Sequence, residues 1–210
     1  MKTVSIAVYF QRGYIADPYW PARAKLIDVQ KQSGMNRAKS DANRNKALEE
    51  YLRRNGMTLD DYRALEAEAS RPFYMNGDGT IEIPELHVYG MLVAANDEAR
   101  AATKCCDPDQ VRSRFEVTTW ATDRQKADGV WERFAQVSAG TGQKLSNQRG
   151  FRRSSYISDF TATGTIRFAP EYVKPDALRN LLEFAGEHVG IGASRKMGWG
   201  RFKLVGFDVG

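Results

Sequence analysis

Gly190-Ile191-Gly192-Ala193-Ser194-Arg195-Lys196-Met197-Gly198-Trp199-Gly200 is the stretch whose reading decides the fold. It has the form G-h-G, five residues, G-h-G, with two cations in the middle. Glycines at Gly190, Gly192, Gly198 and Gly200 let the backbone fold tightly and approach a ligand without Cβ interference. N–H groups exposed in such a turn form an anion-binding concavity. Arg195 and Lys196 add charge suited to phosphate, and Ser194 adds a hydroxyl. The dinucleotide fingerprint would need Gly at Arg195 and a strand in front, and the P-loop would need Gly-Lys-Ser/Thr, so neither pattern fits. On its N-terminal side the loop is flanked by a helical pattern from Pro175 through Leu178, Leu181, Leu182 and Phe184 to Gly186. On its C-terminal side, Arg201 to Phe207 reads as a strand.

Working outward, Val4, Ile6, Val8 and Phe10 share one face of an alternating first strand. Residues 11–40 hold Gly13, Pro18, Pro21 and Gly34 among several cations and read as a long basic loop. Two helices are expected over 41–69, the first capped by Asp41, the second by Thr58 with Asp61 in a capping box. Phe73 to Ile83 reads as a hairpin around Asn76-Gly77-Asp78-Gly79. The same residues imitate a calcium loop, but Tyr74 stands where its first carboxylate belongs. Pro84 opens a helix to about Thr103, a strand is expected near 113–120, and Phe151 to Phe168 holds one bent strand or two short ones. Residues 138–150 read as a flexible loop. This order of elements predicts an α+β, ferredoxin-like domain.

The chain has 210 residues, a formal net charge of +5, 42% hydrophobic and 27% charged residues. That balance is globular and suits one large domain or two small packed ones. No segment is long and apolar enough to span a bilayer, and Met1–Phe10 is too short for a signal peptide's apolar core. Cys105 and Cys106 are adjacent, which excludes a disulfide scaffold and points to a reducing, cytoplasmic setting. With His87 and His188 as the only histidines, no zinc-ligand spacing exists, and neither metal nor cofactor is expected. Acidic residues gather in 41–69 and 82–109, whereas the early loop, 144–153 and 195–203 are basic, a distribution that suits a polyanion.

The glycine loop resembles the glycine-rich signature of the RAMP superfamily, the RNA-binding proteins of CRISPR systems, and lies in the same place, after a helix and before the last strand. Ile83-Pro84-Glu85-Leu86-His87-Val88-Tyr89-Gly90-Met91-Leu92 is similar to the I-P-G-S-S-x-K-G-x-L segment of backbone subunits of CRISPR effector complexes, with Pro84, Gly90 and Leu92 in register. Thr161 to Phe168 resembles the strand before their last helix. The likeness covers 73–103, 160–208 and the first strand. It implies a single RAMP-like, RRM-like domain over 1–210, with a helical insertion at 41–71 and a thumb-like loop at 138–156. It further implies a subunit that binds single-stranded guide RNA and assembles with other effector subunits or with copies of itself in a filament.

Gly190, Gly192, Ser194, Arg195, Lys196, Gly198, Gly200 and Arg201 would contact RNA on this resemblance, joined by His87 and Tyr89 from Glu85-Leu86-His87-Val88-Tyr89, which stands where the family has Gly-Ser-Ser-x-Lys. Lys144, Arg149, Arg152 and Arg153 interleave with Phe151 and Tyr156 as single-strand binders do. Trp120, Trp131 and Phe134 read as core. Catalysis is not expected. The candidates, were there any, are His188 or His87 as the base of a metal-independent processing endoribonuclease, and Asp17 or Asp28 in target cleavage. A stand-alone viral or mobile-element homologue that mimics or inhibits such a complex is the other open reading.

Overall fold

Strand β1 (Lys2–Phe10) occupies an interior position of the sheet, paired along both edges, and its two faces differ. Val4, Ile6, Val8 and Phe10 are buried, while the alternate residues are small or polar, so the strand is pinned by one apolar face. In the computed structural model, which describes residues 1–16, 21–99, 103–136 and 149–210, the chain forms two compact units, Pro18–Pro72 and the remainder.

The larger unit is built on a seven-stranded antiparallel sheet. On one side β1 pairs with β8 (Phe160–Phe168), from Lys2↔Phe168 to Phe10↔Phe160, and on the other with β9 (Lys203–Val209). The register with β9 shifts between Ala7↔Gly206 and Val8↔Leu204, so exposed Val205 bulges from the edge strand. Two short strands in line, β4 (Phe115–Val117) and β5 (Trp120–Thr122), share the far side of β8. Between them Thr118 bonds Thr165 through its backbone and its hydroxyl, and this keeps the break in register. Hairpin β2 (Tyr74–Met75) and β3 (Ile81–Ile83) extends the sheet beyond β5. Its turn is held by the Asn76 carboxamide oxygen, which accepts from the N–H groups of Asp78 and Thr80.

Helices α4 (Glu85–Glu98) and α6 (Pro175–Phe184) pack on each other. Their inner faces, Val88, Met91, Leu92 and Ala95 on α4 and Leu178, Leu181 and Leu182 on α6, are buried. Stripping the helix insertions leaves β1–α4–β4/β5–β8–α6–β9 with strand order β9–β1–β8–β5, the ferredoxin-like arrangement. An aromatic spine joins sheet to loops. Phe10 stacks on Phe160 at 4.5 Å and meets Phe202 at 5.6 Å, while Phe202 lies edge-on to Trp120 at 6.3 Å. Trp120 is fully buried, as expected of a core residue. Buried Asn96 closes the end of α4: its Nδ2 donates to the Leu92 carbonyl and its Oδ1 accepts from the N–H groups of Cys105 and Cys106. Burial pushes the Cys105 thiol up to about 12, so it stays protonated at neutral pH.

The smaller unit contains α1 (Pro21–Gln32), α2 (Asp41–Arg54) and α3 (Leu59–Ala69). Helix α1 corrects the reading of 11–40 as a loop. Ala22 and Val29 are its only buried apolar side chains among those described, too sparse a period to see in sequence, and Pro21 opens the helix where a missing N–H costs nothing. Residues 17–20 lie outside the described structure. The capping box at Thr58 and Asp61 is present, with the hydroxyl bonds holding the Asp61 carboxyl below its usual range. Helix α2 is capped by Ser40 rather than Asp41, because the Ser40 hydroxyl accepts from the Asn43 N–H and Asp41 is already helical.

Three further expectations shift. The strand near 113–120 starts as helix α5 (Val111–Arg114) and is then broken into β4 and β5. Helix α4 ends at Glu98, short of Thr103. The stretch from 151 to 168 resolves into two strands of different sheets: β8, and β7 (Arg149–Tyr156), which forms a separate hairpin with β6 (Gly129–Gln136).

Candidate nucleic-acid interface

After α6 the chain makes one π turn, Ala185–Val189, closed by the Gly190 N–H to the Ala185 carbonyl at 2.7 Å. The loop from Gly190 to Gly200 then doubles back on itself. Its ends are tied by the Ile191 N–H to the Gly200 carbonyl at 2.9 Å. Gly200 has φ +73°, and a Cβ there would lie 1.8 Å from the Ile191 carbonyl oxygen. Gly192 has φ +82°, and a Cβ there would lie 2.5 Å from both the Ile15 carbonyl oxygen and the Tyr14 ring. Only glycine fits either position. The loop is also moored to the segment after β1: the Gly200 N–H donates to the Gly13 carbonyl and the Ala193 N–H to the Ile15 carbonyl, each at 2.8 Å.

Ser194 (φ 60°) begins a short 3₁₀ turn, Arg195–Met197, which lifts Arg195 and Lys196 at the loop's tip. Lys196 is exposed and Arg195 is partly so, and no ion pair forms at either among the described residues. The N–H groups of Ile191, Ala193, Met197, Gly198 and Gly200 are engaged in bonds within the loop or to Gly13 and Ile15, so they are not offered to an anion. Arg201, just past the loop, donates to the Glu187 carbonyl at 2.6 Å, and partial burial lowers its pKa. With Tyr9, Arg12, Glu187 and Lys203 it lines a groove of about 610 Å³ beside the loop.

The hairpin meets the same loop. Trp131 of β6 and Tyr156 of β7 lie 5.5 and 5.1 Å from the Trp199 ring, centroid to centroid. Arg133 lies over Trp131 at 5.4 Å and reaches the Met197 sulfur at 3.4 Å. Trp131 is only partly buried, which corrects its reading as core, and Trp199 is a site neighbour that sequence reasoning passed over. The signal that could have found Trp199 is its place between Gly198 and Gly200; Trp131, between Val130 and Glu132, carries no such mark, and nothing local couples residues so far apart in sequence.

The other expected residues are placed less uniformly. Arg153 projects from β7 and pairs with Glu132 at 2.6 Å, an exposed bridge worth little. Arg149 and Arg152 lie on β7 by backbone pairing alone, opposite Gln136 and Arg133. Lys144 and Asp17 fall outside the described residues, as does the loop expected at 138–150 except Arg149 and Gly150, which are strand rather than loop. His87 and Tyr89 face inward from α4: His87 Nδ1 is 2.7 Å from the Tyr14 hydroxyl, and the Tyr89 hydroxyl donates to the Phe115 carbonyl at 2.8 Å. His188 is exposed against the Phe184 ring at 4.9 Å, with Glu187 at 3.6 Å. Asp28 is exposed on α1 in the smaller unit.

An antiparallel sheet in this strand order, with two helices packed on it and a glycine loop feeding its last strand, is an α+β fold of the ferredoxin-like type. Among solved structures, the chain is similar to one in the Type III-B Cmr-beta complex, whose cryo-EM structure was determined bound to cognate target RNA. The TM-score is 0.51 at 9% identity, over 99% of this chain and 60% of that one, so this chain spans about three fifths of its neighbour's length. At that identity the likeness is one of fold. No family model and no curated protein matches the chain. No described helix is long and apolar enough to cross a membrane.

Proposed function

We propose that the protein is an RNA-binding component of a CRISPR-type ribonucleoprotein effector complex, holding single-stranded guide RNA without cleaving it and assembling with other effector subunits or with copies of itself. The observation that carries this reading is the moored glycine loop, which lifts Arg195 and Lys196 beside a partly exposed aromatic cluster. The RAMP-like fold, similar to that of a subunit of an RNA-bound Cmr complex, supports it. The mechanism is non-covalent. Cations pair with phosphates, and a loop tethered at Gly13, Ile15 and Gly200 holds them in place before the strand arrives, which lowers the ordering entropy lost on binding.

The test is the nucleic acid that copurifies with the chain expressed beside a CRISPR array. Arg195→Glu combined with Lys196→Glu should abolish retention of guide RNA in a chain that still folds by circular dichroism. Undiminished retention would remove the loop from the site.

A further inference from the structure

Trp131, Tyr156 and Trp199 meet where the hairpin touches the glycine loop, and none of the three is buried as a core aromatic would be. Trp199 is the hub, and the interplanar angle to each of its two neighbours is 51°. At that tilt the rings do not stack face to face on one another, whereas the core pair Phe10 and Phe160 are within 3° of parallel and cover each other. Around the rings stand the cation of Arg133 and the exposed thioether of Met197, with Arg195 and Lys196 on the same turn as Met197. The local counter-charge is Glu132, and it is taken by Arg153. Tilted, partly open aromatic rings ringed by cations match the chemistry of a flat, apolar-faced group linked to an anion.

We infer that Trp131, Tyr156 and Trp199 form a platform on which an unpaired base of single-stranded RNA stacks, with the Arg133 guanidinium over the Trp131 ring and Arg195 and Lys196 on the flanking phosphates. This inference rests on the RNA-binding reading above and adds a base-contacting site to it. The site reads no sequence, since every base has a π face. It also gives the hairpin a second role: β6 and β7 bring two of the three rings to the loop, so the platform exists only while hairpin and loop are docked.

The experiment uses two labelled 20-nucleotide strands, oligo(U) and an abasic strand with the same sugar-phosphate backbone, titrated by fluorescence anisotropy. The unmutated chain should bind oligo(U) more tightly than the abasic strand, and oligo(U) alone should quench tryptophan emission. Trp199→Ala and Trp131→Ala should each weaken oligo(U) binding about tenfold, in the range found for one lost stacking contact, and leave abasic binding unchanged. Trp131→Phe should keep most of the affinity. Equal losses on both strands, or oligo(U) binding without quenching, would overturn the platform while leaving RNA binding in place. Should an alanine variant fail to fold, the quenching comparison on the unmutated chain decides alone. A chain that binds neither strand would overturn the RNA-binding reading and the platform together.

Discussion

Gly200 and Ile191 form a clasp in which a single added carbon has nowhere to go. The Ile191 carbonyl oxygen occupies the Cβ position of residue 200, and the backbone there is left-handed, so Gly200→Ala meets a backbone clash and a conformational penalty together. The expected loss is at least the ~1–3 kcal/mol of a strained backbone residue, read as a lowered midpoint in urea denaturation. Gly77→Ala is the control: nothing lies within 4 Å of a Cβ there and its φ is not positive, so its midpoint should move little. A similar midpoint for the two variants would mean that the loop yields. The same logic separates Ser194 from its neighbours, since it is a non-glycine residue with a φ of 60°, at the point where the loop turns outward.

Elements whose own sequence carries their period were legible before the fold was known. Helix α6 shows Leu178, Leu181 and Leu182 on one stripe, and all three are fully buried. Leu181→Ala should therefore cost about 2–5 kcal/mol as a core truncation, against a loss of about 0.5–1 kcal/mol for exposed Tyr172→Ala, which gives up only the Arg114 cation over its ring, both measured by thermal unfolding. The alternation of β1 was equally plain. Helix α1 was hidden because its exposed face is nearly its whole surface, so basic side chains obscured the few apolar contacts. The broken strand was hidden for a different reason: β4 and β5 are each three residues long and owe their alignment to a shared partner, β8, which no local pattern announces. At the interface, the cations of the glycine loop could be read from composition and spacing. The docking of Trp131 and Tyr156 on Trp199 could not, because it depends on where the hairpin folds back. His87 and Tyr89 were legible as residues but not as orientations: both turn toward the protein, to Tyr14 and to Phe115.

For the molecule as a whole, a net charge of +5 conceals an uneven surface, and ionic strength is the measurement that exposes it. On the RNA-binding reading, affinity falls with salt at a slope of about −0.7 per neutralised phosphate for a single strand. Arg195→Ala with Lys196→Ala should make that slope shallower by about 1.4, in titrations from low to moderate salt. An unchanged slope would assign the phosphate contacts to other cations. The sheet to which this loop leads has a further consequence in time rather than in space. Both neighbours of β1 come from the far end of the chain, residues 160–168 and 203–209. A ribosome adding ~5–20 residues per second therefore releases the first strand roughly 8–30 s before β8 exists to receive it. Throughout that interval Val4, Ile6, Val8 and Phe10 are an apolar segment with two open edges, the kind of nascent chain that chaperones hold.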